Sequence, residues 1–225
     1  MSKALVYYTV FDDVYEPIKE EYIHALPKKM ADEIIQYKKQ GDINRLTAGK
    51  YLLKNLLSDC GFSTDVFSSY EIDVMGKPFI KGFHPFNITH SGRVVACAVL
   101  PQEGNIGIDV EKIREIEVTK FDKQFSPLEM MRILAGKEPM QTFFDFWTMK
   151  EAVMKADGRG MRIPLHSIRL KGDHATIDDT GAKWNLYPLE LDESVKAHVC
   201  CEFEIQDLVK KIIPTTQLLS LIHIS

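Results

Sequence analysis

The run Gly107-Ile108-Asp109-Val110-Glu111 places two carboxylates two residues apart in a segment of β character. Alternate side chains of a strand share a face, so Asp109 and Glu111 project together while Ile108 and Val110 point into a core. Two carboxylates on one face repel unless something positive sits between them. A hard cation such as Mg²⁺ meets that need, using carboxylate oxygens, water and a substrate phosphate. A solvated strand edge is the competing reading of this pair alone. A second segment, Trp147-Thr148-Met149-Lys150-Glu151-Ala152-Val153-Met154-Lys155, spaces Trp147, Glu151 and Lys155 at i, i+4 and i+8. They share one helical stripe. An ordinary surface Glu–Lys pair would satisfy that spacing, but a tryptophan is costly to leave on a solvated face. The stripe is therefore expected to line a partly buried cleft.

Between two strand-like runs lies Phe86-Asn87-Ile88-Thr89-His90-Ser91-Gly92-Arg93. It offers hydroxyl, imidazole and guanidinium groups, and a glycine that lets a ligand approach. That mixture suits a phosphate, and a hydrogen-bonded turn would use it equally well. Lys77 beside Pro78 carries the same two readings, as do Lys28, Lys29 and Arg45 on or near the first helices.

The elements that must position these groups can be read from hydrophobic period and breakers. Strands are expected at 4–10, 70–74, 86–89, 94–100, 106–110, 167–170, 175–177, 184–187 and 195–205. Helices are expected at 27–40, stopped by Gly41, then to about Leu57 from a cap at Asp42 or Asn44, and at 127–134 and 141–156. The apolar tail after Ile213 is expected to be a docking strand. The order is strand, helices, strands, then the same again, which predicts an α+β fold of two halves joined near Pro101–Asn105. The 225 residues carry 45% hydrophobic and 27% charged side chains and a net charge of -4. Such a chain buries a real core and lacks the basic excess of a bulk nucleic-acid binder. Neither a signal peptide nor a membrane span of about 20 apolar residues is expected from this pattern. Four cysteines without a CxxC pair read as reduced thiols of a cytoplasmic protein.

Taken together, Gly76-Lys77-Pro78, Phe86 to Ser91, Gly107 to Lys112 and Trp147 to Lys155 resemble the 4'-phosphopantetheinyl transferases of the surfactin-synthetase type. The last two segments match that family's signatures, G-[IV]-D-[IV]-E and W-x-x-K-E-[SA]-x-x-K, without a gap. The resemblance runs from Pro27 to Pro164, and by strand pattern to about Ile205. It implies a pseudo-dimer of two similar α+β halves with the active site in the cleft between them. Residues 1–104 would form the coenzyme A 3'-phosphate and adenine side, and residues 105–225 the metal and catalytic side. The reaction implied moves the phosphopantetheine arm of coenzyme A to a serine of an apo acyl or peptidyl carrier protein, releasing 3',5'-ADP. Asp109, Glu111 and Glu151 would hold Mg²⁺, and Glu151 and Lys155 would be catalytic.

Coenzyme A would meet Lys29, Arg45, Lys77, Pro78, Thr89 and His90, with Arg45, Lys29 and His90 at the 3'-phosphate and Lys77 and Pro78 beside adenine. Thr89 stands where the family usually has serine, and Asp32 stands at one usually basic position. Glu129 resembles a glutamate of the active-site region. The segment Val118 to Met131 mixes apolar side chains with Lys120 and Lys123, which suits either an acidic carrier protein or ordinary core packing. A monomer that engages neither nucleic acid nor membrane is expected. Two rival readings are another Mg²⁺-dependent phosphoryl or nucleotidyl transferase, and a coenzyme A or carrier-binding module without catalysis. The missing GxxxxGK[ST] loop counts against a P-loop enzyme, and the intact acidic and lysine set counts against a module.

Overall fold

A computed structural model describes residues 2–12 and 17–220. In chain order the elements are β1 (Lys3–Val10), α1 (Glu20–His24), α2 (Lys28–Ile35), α3 (Gln40–Asp59), β2 (Tyr70–Ile72), β3 (Pro78–Ile80), β4 (Phe86–Ser91), β5 (Val94–Val99) and β6 (Ile106–Lys112). They continue with α4 (Pro127–Ala135), α5 (Pro139–Asp157), β7 (Ile168–Lys171), β8 (His174–Ile177), β9 (Lys183–Pro188), β10 (Val195–Cys201), β11 (Asp207–Ile212) and α6 (Thr215–Ser220). The fold is α+β, as the order of elements predicts. Among the described residues no helix is long and apolar enough to cross a membrane.

Two sheets dominate. The first has the order β11-β1-β5-β4 and the second β6-β10-β9-β8-β7. Their facing sides bury Ala4, Val6, Val94, Ala96 and Ala98 against Ile106, Ile108, Val110, Ala197 and Val199. The outer face of the first sheet, with Tyr7, Val95, Cys97 and Val99, packs on Tyr51, Leu52 and Leu56 of α3. The outer face of the second, with Ala175, Leu186 and Cys200, packs on Ala152, Val153 and Ala156 of α5. Each sheet thus buries one face on the other sheet and one on a long helix. The central strand β5 is buried on both faces and reads accordingly as a continuous apolar run.

Several expectations change. Gly41 does not stop the second helix: α2 ends at Ile35, and Gly41 lies in the first turn of α3, which begins at Gln40. Asn44 does not cap that helix, because it is buried and accepts from the Ile18 amide at 3.1 Å and from Gln40 Nε2 at 2.9 Å. The strand expected over 195–205 stops short, and a strand not expected from the sequence, β11, follows at 207–212. β10 ends at Cys201, and β11 returns to the first sheet, parallel to β1, with Lys3 opposite Asp207 and Tyr8 opposite Ile212. A division of the chain at 104/105 leaves β11 on the far side of the boundary from the sheet it joins. The tail after Ile213 is helical over Thr215–Ser220, where Leu218 is buried; residues 221–225 lie outside the described residues.

Candidate active site

β6 carries Gly107, Asp109 and Glu111 on the face turned to α5, and the reason lies in the glycine. A Cβ at Gly107 would stand 2.1 Å from the Ala152 carbonyl oxygen and 2.5 Å from the Ala156 nitrogen. Only a residue without a Cβ lets the strand lie this close to the helix backbone. That approach brings Asp109 and Glu111 to the stripe of α5 that holds Trp147, Glu151 and Lys155. α5 itself starts at Pro139 and ends at Gly158, whose φ of 87° is the left-handed conformation of a helix terminator.

Ile88, Thr89, His90, Asp109, Val110, Glu111, Trp147, Glu151 and Lys155 line one cavity of about 340 Å³. Of the residues expected from sequence, this brings together all three carboxylates, Lys155, Thr89 and His90. Lys155 Nζ lies 2.6 Å from Asp109 Oδ1 and 3.2 Å from Thr89 Oγ1. The Thr89 hydroxyl donates to Asp109 Oδ1 at 3.3 Å, and the Ser91 hydroxyl donates to Glu111 Oε2 at 2.9 Å. Arg114 approaches the same Glu111 oxygen at 3.1 Å. Trp147 stacks on Phe143 with ring centroids 5.6 Å apart and meets the edge of Phe121, which ties the cavity wall to the aromatic core under α4.

Burial sets the electrostatics. Asp109 is only 4% exposed, and desolvation pushes its carboxyl up to about 6, with Lys155 pulling it down and Glu111 adding to the rise. Desolvation also carries Glu151 up to about 7, helped by the charges of Asp109 and Glu111 and opposed by Lys155. His90 is held below its ordinary value by burial first, then by Arg45 and Lys155. Two acids with raised proton affinity beside one ammonium form a site with an excess of negative charge.

The donor set suits a hard divalent cation: carboxylate oxygens from Asp109, Glu111 and Glu151. Asp109 Oδ2 is buried without a hydrogen-bond partner, an acceptor the protein itself leaves unsatisfied. Among the described residues no three ligating side chains stand around one point. Lys155 occupies the other Asp109 oxygen, and Ser91 and Arg114 hold Glu111, so the carboxylates share a cavity without converging.

Other expected residues lie elsewhere. Arg45, on α3, donates to Asp42 Oδ1 at 2.5 Å and to the Gly92 carbonyl at 3.2 Å, next to His90. Lys77 reaches the C-terminal end of α5, donating to the Ala156 carbonyl at 3.2 Å, and burial lowers its proton affinity. Pro78 opens β3 and is half-buried. Lys29 is not in the carboxylate cavity; it is exposed, 3.7 Å from Glu71, and lines a separate cavity of about 440 Å³ with Asp32 and Glu33. Glu129 is also turned away from the cavity. Its carboxylate accepts from the Ser126 amide at 2.7 Å, closing a capping box on α4, and lies 3.0 Å from Lys150 Nζ. Lys150, wholly buried, gives its other protons to the carbonyls of Leu165 and Ile168.

This is an α+β protein whose strand-borne acidic pair faces a helical Glu–Lys stripe across a polar cavity. Residues 105–210 match the 4'-phosphopantetheinyl transferase superfamily. The chain is 30% identical over 198 residues to 4'-phosphopantetheinyl transferase Sfp of Bacillus subtilis strain 168, covering 80% of this chain and 84% of that protein. A further Bacillus subtilis 4'-phosphopantetheinyl transferase is 29% identical over 81% of this chain and 84% of its own length. 4'-Phosphopantetheinyl transferase gsp of Aneurinibacillus migulanus is 29% identical over 78% of this chain and 76% of its own. The chain belongs to the 4'-phosphopantetheinyl transferase superfamily.

Proposed function

We propose that this protein transfers the 4'-phosphopantetheine arm of coenzyme A to a serine of an apo carrier protein, releasing 3',5'-ADP. The observation that carries the reading is the single cavity in which Asp109, Glu111, Glu151 and Lys155 meet Thr89 and His90. The 1–104 side, with Arg45 and His90, would hold the 3'-phosphate end of coenzyme A. The 105–225 side would act on the diphosphate, in the cleft of a pseudo-dimer. Support for that arrangement comes from the two sheets, each backed by its own long helix.

A serine hydroxyl is a weak nucleophile near neutral pH and needs a base. Glu151, with its proton affinity raised to about 7, is suited to take that proton. Lys155 sits one turn further along α5 and can exchange its contact with Asp109 for the diphosphate, stabilising charge on the departing oxygen. Asp109, Glu111 and Glu151 would hold Mg²⁺. When bound, the cation would neutralise diphosphate charge. The carrier would dock on α4. Leu128, Met131 and Leu134 are more than half exposed on one side of that helix, while Phe125 and Ile133 are buried beneath it. Lys120, Lys123 and Arg132 give the apolar strip a basic rim, complementary to an acidic carrier.

The decisive assay incubates the protein with coenzyme A, Mg²⁺ and an apo carrier protein. A mass gain on the carrier equal to the phosphopantetheine arm is the expected result. An unmodified carrier, across a panel drawn from peptide, polyketide and fatty-acid synthesis, would overturn the reading.

A further inference from the structure

β4 and β6 are edge strands of different sheets, and they run side by side in the same direction. Among the described residues no backbone ladder joins them. Three side chains of β4 take the ladder's place. Asn87 Oδ1 accepts from the Ile108 amide at 3.0 Å, Thr89 Oγ1 from the Val110 amide at 3.3 Å, and Ser91 Oγ from the Lys112 amide at 3.0 Å. Both strands advance two residues per contact, so alternate side chains meet alternate amides along the whole edge.

The residue types follow the chemistry opposite them. The hydroxyls of Thr89 and Ser91 each accept from one β6 amide and donate to the carboxylate just before it, Asp109 and Glu111 respectively. Only a group that both donates and accepts can do this. Asn87 faces Ile108 and Gly107, where no carboxylate stands, and supplies an acceptor alone. Its partner amide is buried, and an unpaired one there would be costly.

We infer that Asn87, Thr89 and Ser91 form a seam that sets the register between the two halves of the active site. They are positioning residues: they hold Asp109 and Glu111 at one height relative to His90, which shares β4 with them. A slip of one residue along the seam would set Ile88 and His90 in place of Asn87 and Thr89 and leave the buried Ile108 and Val110 amides without these acceptors. The seam explains why these edge strands stay apart as two sheets, yet keep a fixed alignment. The functional half of this inference rests on the transferase reading; the structural half does not.

Amide hydrogen exchange on the metal-free protein tests the structural half. In Thr89→Val the Val110 amide should exchange about ten- to a hundredfold faster, the range expected when a buried donor loses its partner. Thr89→Ser should retain protection, and the Val199 amide, inside the second sheet, should be unaffected in both. Turnover tests the functional half through Asn87→Leu, a site outside the cavity lining. Its kcat should fall about tenfold or more, and it should need more Mg²⁺, with a smaller change in KM for coenzyme A. Where Asn87→Leu fails to fold, Ser91→Ala set against Ser91→Thr makes the same comparison at the more exposed end. Unchanged exchange at residues 108, 110 and 112, or wild-type turnover in the seam variants, would overturn the inference. A wild-type protein that modifies no carrier would instead refute the transferase reading and leave the exchange result to stand by itself.

Discussion

Replacing Asp109 by asparagine should make the metal-free protein more stable while abolishing transfer. The Asp109 carboxyl is raised from 3.8 to about 6, chiefly by desolvation, even with Lys155 2.6 Å away. A displacement of that size corresponds to about 3 kcal/mol against the charged form at neutral pH. The sign follows from linkage. Between pH 4 and 6 the unfolded chain releases the proton that the folded chain retains, so this carboxylate costs stability as pH rises through that window. Asparagine keeps the shape and removes the charge, but it leaves Lys155 with a weaker partner. A net gain of about 1–3 kcal/mol at pH 7.5 is therefore expected. In a chain of this length that is about 2–10 °C in Tm. The assay is thermal unfolding of wild type and variant in EDTA at pH 7.5 and again at pH 4, where the difference should nearly vanish. A variant that melts below wild type at pH 7.5, or one that gains equally at both pH values, would refute the argument. A variant with near wild-type turnover would sink the assignment of Asp109 to the cation.

Glu151→Gln keeps the shape but cannot accept the serine proton, so kcat should fall by about 10²–10⁴-fold with a modest change in coenzyme A affinity; collapse of affinity with kcat preserved would make Glu151 chiefly a ligand. Arg45→Ala should raise KM for coenzyme A about ten- to a hundredfold, and far less for 3'-dephospho-coenzyme A; equal penalties on both substrates would remove Arg45 from the 3'-phosphate. His198 is buried opposite Asp109 on β10, with Nδ1 2.9 Å from Thr148 Oγ1, and desolvation lowers its pKa from 6.5 to about 4. The unfolded state takes up that proton first as pH falls, so about 3 kcal/mol should be lost between pH 6.5 and 4. Denaturant titrations of wild type and His198→Gln across that range should diverge in slope; parallel curves would refute the claim.

The acidic strand and the Glu–Lys stripe were legible because they depend on local period: two residues per face on a strand, four per turn on a helix. Their meeting at Gly107 was not, since a strand pattern does not show which helix will lie against it. Lys29 stands outside the carboxylate cavity, 3.7 Å from Glu71, a placement on α2 that the charge of a lysine does not reveal. Glu129 carried a visible local signal, Ser126-Pro127-Leu128-Glu129, the spacing of a capping box. Its pairing with Lys150 spans two helices and has no local signature. The division of α2 from α3 was misplaced because Gly41 drew the boundary, whereas the chain breaks over Gln36 to Lys39 without a strong breaker. Asn87 and Thr89 fell in the strand expected at 86–89, but the period of two that they share with Ser91 already carried that strand, and its polar face, two residues further.

The pairing of β11 with β1 has a consequence for how the protein is made. During synthesis β1 cannot complete its sheet until residues beyond 207 have also emerged, because its outer neighbour, β11, follows it by about 200 residues. Lys3 and Asp207 are neighbours in that ladder, a contact that closes the long stretch of chain between them into one loop. Such closure is slow and comes late in folding. Until it occurs, β1 presents an unpaired edge to the rest of the cell, the kind of surface that recruits other strands. A nascent chain stalled before residue 207 should therefore hold to chaperones, and release should follow the emergence of β11 rather than of the carboxylates.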